Sequence, residues 1–419
     1  MSQAVAITLE AMLGRENLQA AWAAVRRNAG APGVDGKTIE QTAEHLKEHW
    51  ETIREKLLQG NYQPAAVRAV EIPKANGGRR KLGIPTVQDR LIQQAMHQVL
   101  SGAFDPLMSD HSYGFRPGRS AHAAVEAARG YVKAGKTWVV DIDLKEFFDQ
   151  VSHDRLMVRV ARVVQDKRVL SLIGRYLRAP IRQVDGRQQK RLQGTPQGGP
   201  LSPLLANIYL DDLDRELERR GIAFVRYADD IALFVSSERA AQRVLESVKD
   251  WLRKHLALVV NDDKSGVGPS GGSRLLGFCI HASGDVSISD KTLRRFQERV
   301  RQIWDVRQGH TLPELREQWG QYVRGWWNYF RYANRRERLL VLSGWIRRHI
   351  RKYFWQRWHN SRGRIKALRK LGVTGRSLGI GWSSRGAWPM ARHVVVQQAL
   401  KTQRLNQWGF TLPWTLASQ

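Results

Sequence analysis

The spacing of apolar and polar residues changes character several times along this chain of 419 residues. Residues 1–60 set Leu18, Trp22 and Val25 at helical intervals, and Ala31–Gly36 (APGVDG) breaks that pattern as a loop. A strand is predicted over Val67–Ile72, followed by a glycine-rich turn (ANGG) with Lys74, Arg79, Arg80 and Lys81 around it. Amphipathic helices are predicted over Thr86–Leu100 and Ser120–Lys133, with the Gly/Pro-broken stretch SYGFRPGRS between them. Trp138–Val151 opens as an apolar strand, and GTPQGG precedes a helix over Leu204–Arg219. Phe224–Ser236 (FVRYADDIALFVS) has β-branched and aromatic runs on both sides of Asp229 and Asp230, the pattern of a tight hairpin. SGVGPSGGS (Ser265–Ser273) reads as a flexible loop between two strands.

After Ser289 the pattern becomes long basic helices. Thr311 and Glu314, with Pro313 in the first turn, form a capping box. Leu315, Trp319, Tyr322, Trp326 and Phe330 then make a stripe of helical period that reads as core rather than as a stacking surface. Arg335–Trp358 reads as another helix, and IKALRKLG ends a further one with Gly372 in a C-capping position.

Candidate chemistry enters with the acids. Asp229 and Asp230 sit at the tip of the predicted hairpin, where two like charges about 4 Å apart repel by roughly 4 kcal/mol at an effective dielectric near 20. An Asp-Asp pair alone reads as a solvated turn. A second acidic strand end changes the reading, because period 2 puts Asp141 and Asp143 on one face. Carboxylates from two strands suit Mg²⁺, and two such ions serve phosphoryl or nucleotidyl transfer.

At these residues the chain resembles the reverse transcriptases of group II introns. YADD (Tyr227–Asp230) resembles the metal-binding turn, and DLKEFFD (Asp143–Asp149) the first motif of the palm. QGTPQGGPLSPLLANIYLDDLD (Gln193–Asp214) is similar to the template-and-nucleotide motif. IPKANGGRRKLGIPTVQDRLIQQA, SYGFRPGRSAHAAV, LVVNDDKS and LLGFCI match further blocks in order. From RGWWNYF through IRRHIRKYFWQRW to IKALRKLGV the chain resembles a maturase region.

The resemblance implies an α+β right-hand polymerase fold of fingers, palm and helical thumb, with an appended basic, mostly helical domain. It divides the chain into residues 1–60, 61–285, 286–345 and 346–419. It implies two Mg²⁺ ions held by Asp143, Leu144 and Asp229, with Asp230 the third catalytic acid. Asp141 competes for the role of Asp143; the family's gate residue lies five positions after the catalytic aspartate, which selects Asp143 and makes Phe148 the gate against a 2′-hydroxyl. Lys74, Arg80, Gln197 and Lys264 are the implied nucleotide-binding residues. Arg116, Arg119, Gly198, Arg347, Arg348, Arg351, Lys352, Arg364 and Lys366 are the implied nucleic-acid contacts. The implied activity is RNA-directed DNA polymerisation with a maturase role in splicing and retrohoming, in a ribonucleoprotein with intron RNA, a DNA target and dNTPs. A domesticated host polymerase for repair or defence, a non-catalytic splicing factor and a DNA-templated polymerase are the alternatives. The resemblance, with no paired Cys or His cluster of a nuclease domain in this sequence, is to the compact bacterial class.

Bulk properties agree. The net charge is +29, and from Asp290 onward 27 Lys and Arg stand against 6 Asp and Glu, with no acid after Glu337. Such a bias calls for a polyanionic partner. The lone cysteine, Cys279, excludes an internal disulfide and fits a reducing cytoplasm. No apolar run approaches a membrane span, and the N-terminus lacks a signal-peptide pattern.

Overall fold

A computed structural model describes residues 7–73 and 79–416, the side chains of Arg80, Lys81 and Leu416 excepted. The chain divides between Ser270 and Gly271 into two compact units, a coarser partition than the four segments expected from the sequence.

In the first unit, helices α1 (Arg15–Asn28) and α2 (Ile39–Leu58) precede the antiparallel strands β1 (Val67–Pro73) and β2 (Arg79–Ile84). The short strands β4 (Ile181–Arg182) and β5 (Gln188–Gln189) extend that sheet in the order β2-β1-β4-β5. Helices α3 (Val87–Phe104) and α4 (Ala121–Lys133) lead to β3 (Trp138–Asp143), and α5 (His153–Ala161) and α6 (Lys167–Arg178) follow it. Helix α7 (Ser202–Arg219) buries Leu204, Leu205, Ile208, Tyr209, Leu210 and Leu213 together, so its first half is apolar nearly all round, and charged residues fill the second. Strands β6 (Ala223–Tyr227) and β7 (Asp230–Val235) form the predicted hairpin, and α8 (Glu238–Trp251) packs on β3.

The central sheet has the order β6-β7-β3-β8. Strand β8 is Gly266–Pro269, and it pairs with β3 at Trp138, Val139, Val140 and Asp141. This corrects the reading of SGVGPSGGS as a loop. Glycines offer no alternating side chains to read, and proline is tolerated because β8 lies on the sheet edge. The division between the units falls in the glycine-rich remainder of that segment, after Ser270.

The second unit opens with the hairpin β9 (Phe278–Ile280) and β10 (Val286–Ile288), then helices α9 (Asp290–Ile303), α10 (Leu312–Phe330), α11 (Glu337–Arg357) and α12 (Ser361–Lys370). The capping box at Thr311 and Glu314 is formed. Its stripe is core: Trp304 meets Trp319 at 5.4 Å and Phe410 at 5.0 Å, and Trp414 lies 5.7 Å from Trp326. Trp414 also donates its indole N–H to Ser343 Oγ at 2.8 Å. Phe410 and Trp414 thus close this core. Among the described residues no helix is long and apolar enough to cross a membrane.

Candidate active site

Register brings the acids together. Strand β3 alternates its burial, which keeps Asp141 and Asp143 out of the core while Ile142 enters it. Asp143 lies directly opposite Asp230 across β3 and β7, and Asp230 opposite Tyr227 across the hairpin. The turn between them holds Ala228 at φ 58°, a conformation unusual for a residue with a side chain.

That turn is clamped from below. Arg226, wholly buried in β6, donates through Nε and Nη2 to Asp214 of α7 at 2.8 and 2.5 Å. Its Nη1 donates to Asn207 Oδ1 at 2.8 Å and to the Ala228 carbonyl at 3.1 Å. Asn207 in turn donates to the Gly114 carbonyl at 2.8 Å. Gly114 touches the turn so closely that a Cβ there would meet the Ala228 nitrogen at 2.4 Å. The SYGF segment therefore supports the turn: Tyr113 N–H donates to the Arg226 carbonyl and Arg226 N–H to the His111 carbonyl, both at 2.9 Å.

Four carboxylates share the field at this end of the sheet. Partial burial, and then the charges of Asp229, Asp143 and Asp141, push the Asp230 carboxyl up to about 6, while Lys264 pulls it back. Asp230 is exposed at the first position of β7, so solvent trims both the desolvation and the repulsion from the neighbouring acids. Lys264 Nζ lies 3.5 Å from Asp143 Oδ1. The backbone of Asp143 is fixed by Ser265 Oγ, which accepts from its N–H at 2.9 Å, and by Asn261 N–H, which donates to its carbonyl at 2.8 Å. Among the described residues no three acid, His or Cys side chains already converge as a metal cage. The donor set nevertheless fits Mg²⁺: hard oxygens from two adjacent strands, with excess negative charge that a divalent cation would relieve. Leu144 has its side chain in the core, so only its backbone could join such a site.

Phe148 is buried edge-on against Phe147 with ring centroids 5.2 Å apart. Its carbonyl accepts from Thr195 N–H at 2.7 Å, and a Cβ on Gly194 would strike that carbonyl at 2.8 Å. The GTPQGG segment thus docks on the Phe148 backbone at one end. At the other, Gly83 N–H donates to the Gln197 carbonyl at 2.8 Å, and Gly198, at φ +131°, lies where a Cβ would come within 2.5 Å of the Gly83 carbonyl. Close approach to β2 therefore explains Gly198 without a nucleic acid. Lys74 falls outside the described residues, as does the Arg80 side chain.

Several of the expected nucleic-acid contacts already have partners within the protein. Arg116 is only 4% exposed and forms a salt bridge with Asp105 at 2.6 Å; it also donates to the Ser112 carbonyl at 3.0 Å, so its guanidinium is consumed by the protein. Arg119 is partly exposed, paired with Asp110 and 5.7 Å above the Tyr113 ring. In the second unit Arg348 lies 3.8 Å over the Trp388 ring, Arg351 donates to the Leu400 carbonyl at 3.2 Å, and Arg364 lies 4.8 Å over Trp355. These three fasten segments of their own unit. Arg347 and Lys352 are half-buried and Lys366 is exposed, beside Arg362, Arg369 and Lys370, which are exposed and carry no signal in the sequence beyond their charge. The Arg226–Asp214 pair was also missed, although a lone arginine inside an apolar strand signals a buried partner.

With this geometry in hand, comparison with known proteins is informative. The family model described as reverse transcriptase (RNA-dependent DNA polymerase) matches residues 72–280. The model for the group II intron, maturase-specific domain, matches residues 293–372. Protein YkfC of Escherichia coli (strain K12) is 33% identical over 277 residues, covering 57% of this chain and 72% of YkfC. The group II intron-encoded protein LtrA of Lactococcus lactis subsp. cremoris is 38% identical over 179 residues, 42% of this chain but only 30% of LtrA. Among solved structures, a partial Cas6-RT-Cas1–Cas2 complex is 26% identical with a TM-score of 0.38, covering 58% of this chain and 42% of its own.

Proposed function

The chain belongs to the reverse transcriptases that carry a group II intron maturase-specific domain, and on that premise we propose that it copies RNA into DNA at the four-carboxylate centre and binds intron RNA to support splicing and retrohoming. The observation that carries the catalytic half is the placement of Asp143 in register with Asp230, beside Asp229 and Asp141, within the matched region. Asp143 and Asp229 would hold two Mg²⁺ ions, which when bound activate the attacking 3′-hydroxyl oxygen and stabilise the leaving one. Lys264, beside Asp143, offers a positive charge toward the departing pyrophosphate. Phe148, fixed by the core, presents the ring that excludes a ribose 2′-hydroxyl. Arg226 and Asp214 hold the turn so that these groups need no rearrangement.

Primer extension on an RNA template tests the reading. Asp143→Asn and Asp229→Asn should each lower the rate by orders of magnitude while RNA affinity stays within a few-fold. Retained extension in both would remove the catalytic assignment.

A further inference from the structure

The second unit holds a polar hollow of about 460 Å³ lined by Arg301, Asp305, Arg307, His349, Lys352 and Gln356. Helix α9 supplies Arg301, the single turn Val306–Gln308 supplies Arg307, and α11 supplies the other three cationic and polar groups. His349, Lys352 and Gln356 are spaced by three and four residues, which stacks them on one helix face. Asp305 is taken up by Arg307, at 2.6 Å. Arg301 lies 5.3 Å over the Trp345 ring, and no ion pair engages it among the described residues. Asp305 also feels the charge of Lys352, so three cations against one acid leave the hollow a net surplus of two positive charges for an outside anion.

His349 adds a second, independent sign. It is buried between the rings of Trp345, at 4.2 Å, and Trp388, at 4.6 Å, and its Nδ1 has no hydrogen-bond partner. Buried polar atoms are seldom left in that state. Burial, followed by the charges of Lys352, Arg301 and Arg348, holds its imidazolium down to about 4, so near neutrality the ring is uncharged.

We infer that this hollow binds a phosphodiester of the RNA backbone, with charge from Arg301 and Lys352 and hydrogen bonds from Gln356 and the neutral His349. The inference rests on the RNA-binding reading above and locates a contact for it. A phosphodiester of a long polyanion fits better than a carboxylate metabolite because the cations of the hollow come from two separate helices of a unit that is basic throughout.

Equilibrium binding of a labelled single-stranded RNA, and of a labelled DNA duplex of equal length, tests it across a salt series with the full chain. Arg301→Gln and Lys352→Gln should each weaken RNA binding a few-fold and reduce the slope of log K against log salt by about 0.7, the change expected when one phosphate is no longer neutralised. Lys352→Arg should restore both quantities. The charge-matched controls Arg54→Gln and Lys56→Gln, each alone and each at an exposed position of α2, should change neither. Should Arg301→Gln fail to fold for want of its Trp345 contact, Lys352→Gln carries the test alone. Unchanged RNA slope in the hollow variants, with wild-type RNA binding intact, overturns the hollow and leaves the RNA-binding reading standing. So does an effect confined to the DNA duplex. Absence of salt-dependent RNA binding by the wild type overturns both.

Discussion

Asp230 is the most informative single residue, because its proton reports on its three acidic neighbours. Its folded value near 6 lies above the ordinary aspartate value, so the folded state binds the extra proton more tightly than the unfolded chain. The stability this contributes is present in acid and is lost as pH rises from about 4 through about 6. In metal-free buffer the melting temperature should therefore fall across that window, and Asp230→Asn should flatten the fall. Mg²⁺ should raise the melting temperature above pH about 7 and much less below pH about 5; an equal rise at both would argue against a shared carboxylate field. Asp141 enters that same field, so the two candidates on β3 need separating. Asp143→Asn should stop primer extension and Asp141→Asn should slow it; the reverse order would transfer the metal-holding role to Asp141. Arg226 acts at the same scale by a different route. Arg226→Gln leaves Asp214 buried and uncompensated, a loss of about 3–5 kcal/mol for such a pair. A denaturant double-mutant cycle with Asp214→Asn should show coupling, the double variant losing less than the two singles together.

Among the elements, legibility followed the presence of side chains that alternate or repeat. Helices such as α3, α7 and α11 lie within a few residues of their predicted ranges, since each has an apolar face or a cap that the chain spells out. The β6–β7 hairpin was equally legible from the runs around Asp229 and Asp230. Strand β8 was not, because its glycines carry no pattern and its place is decided by β3, more than a hundred residues upstream. The same limit explains Gly198 and Arg116. Their residue types suggested a ligand, whereas the neighbours that account for them, the Gly83 carbonyl and Asp105, are visible only after folding. The GTPQGG segment gives a test at this scale. Gly198→Ala should cost about 1–3 kcal/mol, because it imposes a disfavoured backbone conformation and drives a Cβ into the Gly83 carbonyl. Chemical denaturation measures the loss. A variant as stable as the parent would mean that the segment does not rest on β2 in solution.

At the scale of the whole molecule the charge is concentrated where the maturase-specific match lies, and it is of two kinds. Arg348, Arg351 and Arg364 are fastened to aromatic rings and carbonyls, so they hold the second unit together. Arg362, Lys366, Arg369 and Lys370 are exposed on α12 and are available to a polyanion. Deleting the chain beyond residue 345 cannot separate these roles, since Phe410 and Trp414 close the same aromatic core that Trp304 and Trp326 begin. Substitution can. Changing the four exposed cations of α12 to Gln should leave the melting temperature within a few degrees and weaken RNA binding. The slope of log K against log salt should shrink by roughly 0.7–0.9 for each phosphate that the variant no longer neutralises, and extension on a short primed template should persist. Arg348→Gln should do the opposite, lowering the melting temperature while the salt slope stays close to that of the parent, because its guanidinium is engaged by the Trp388 ring and carbonyl. If instead the exposed set alters stability and leaves the slope unchanged, its charge serves solvation and packing, and the anchoring of intron RNA must be sought elsewhere in the chain.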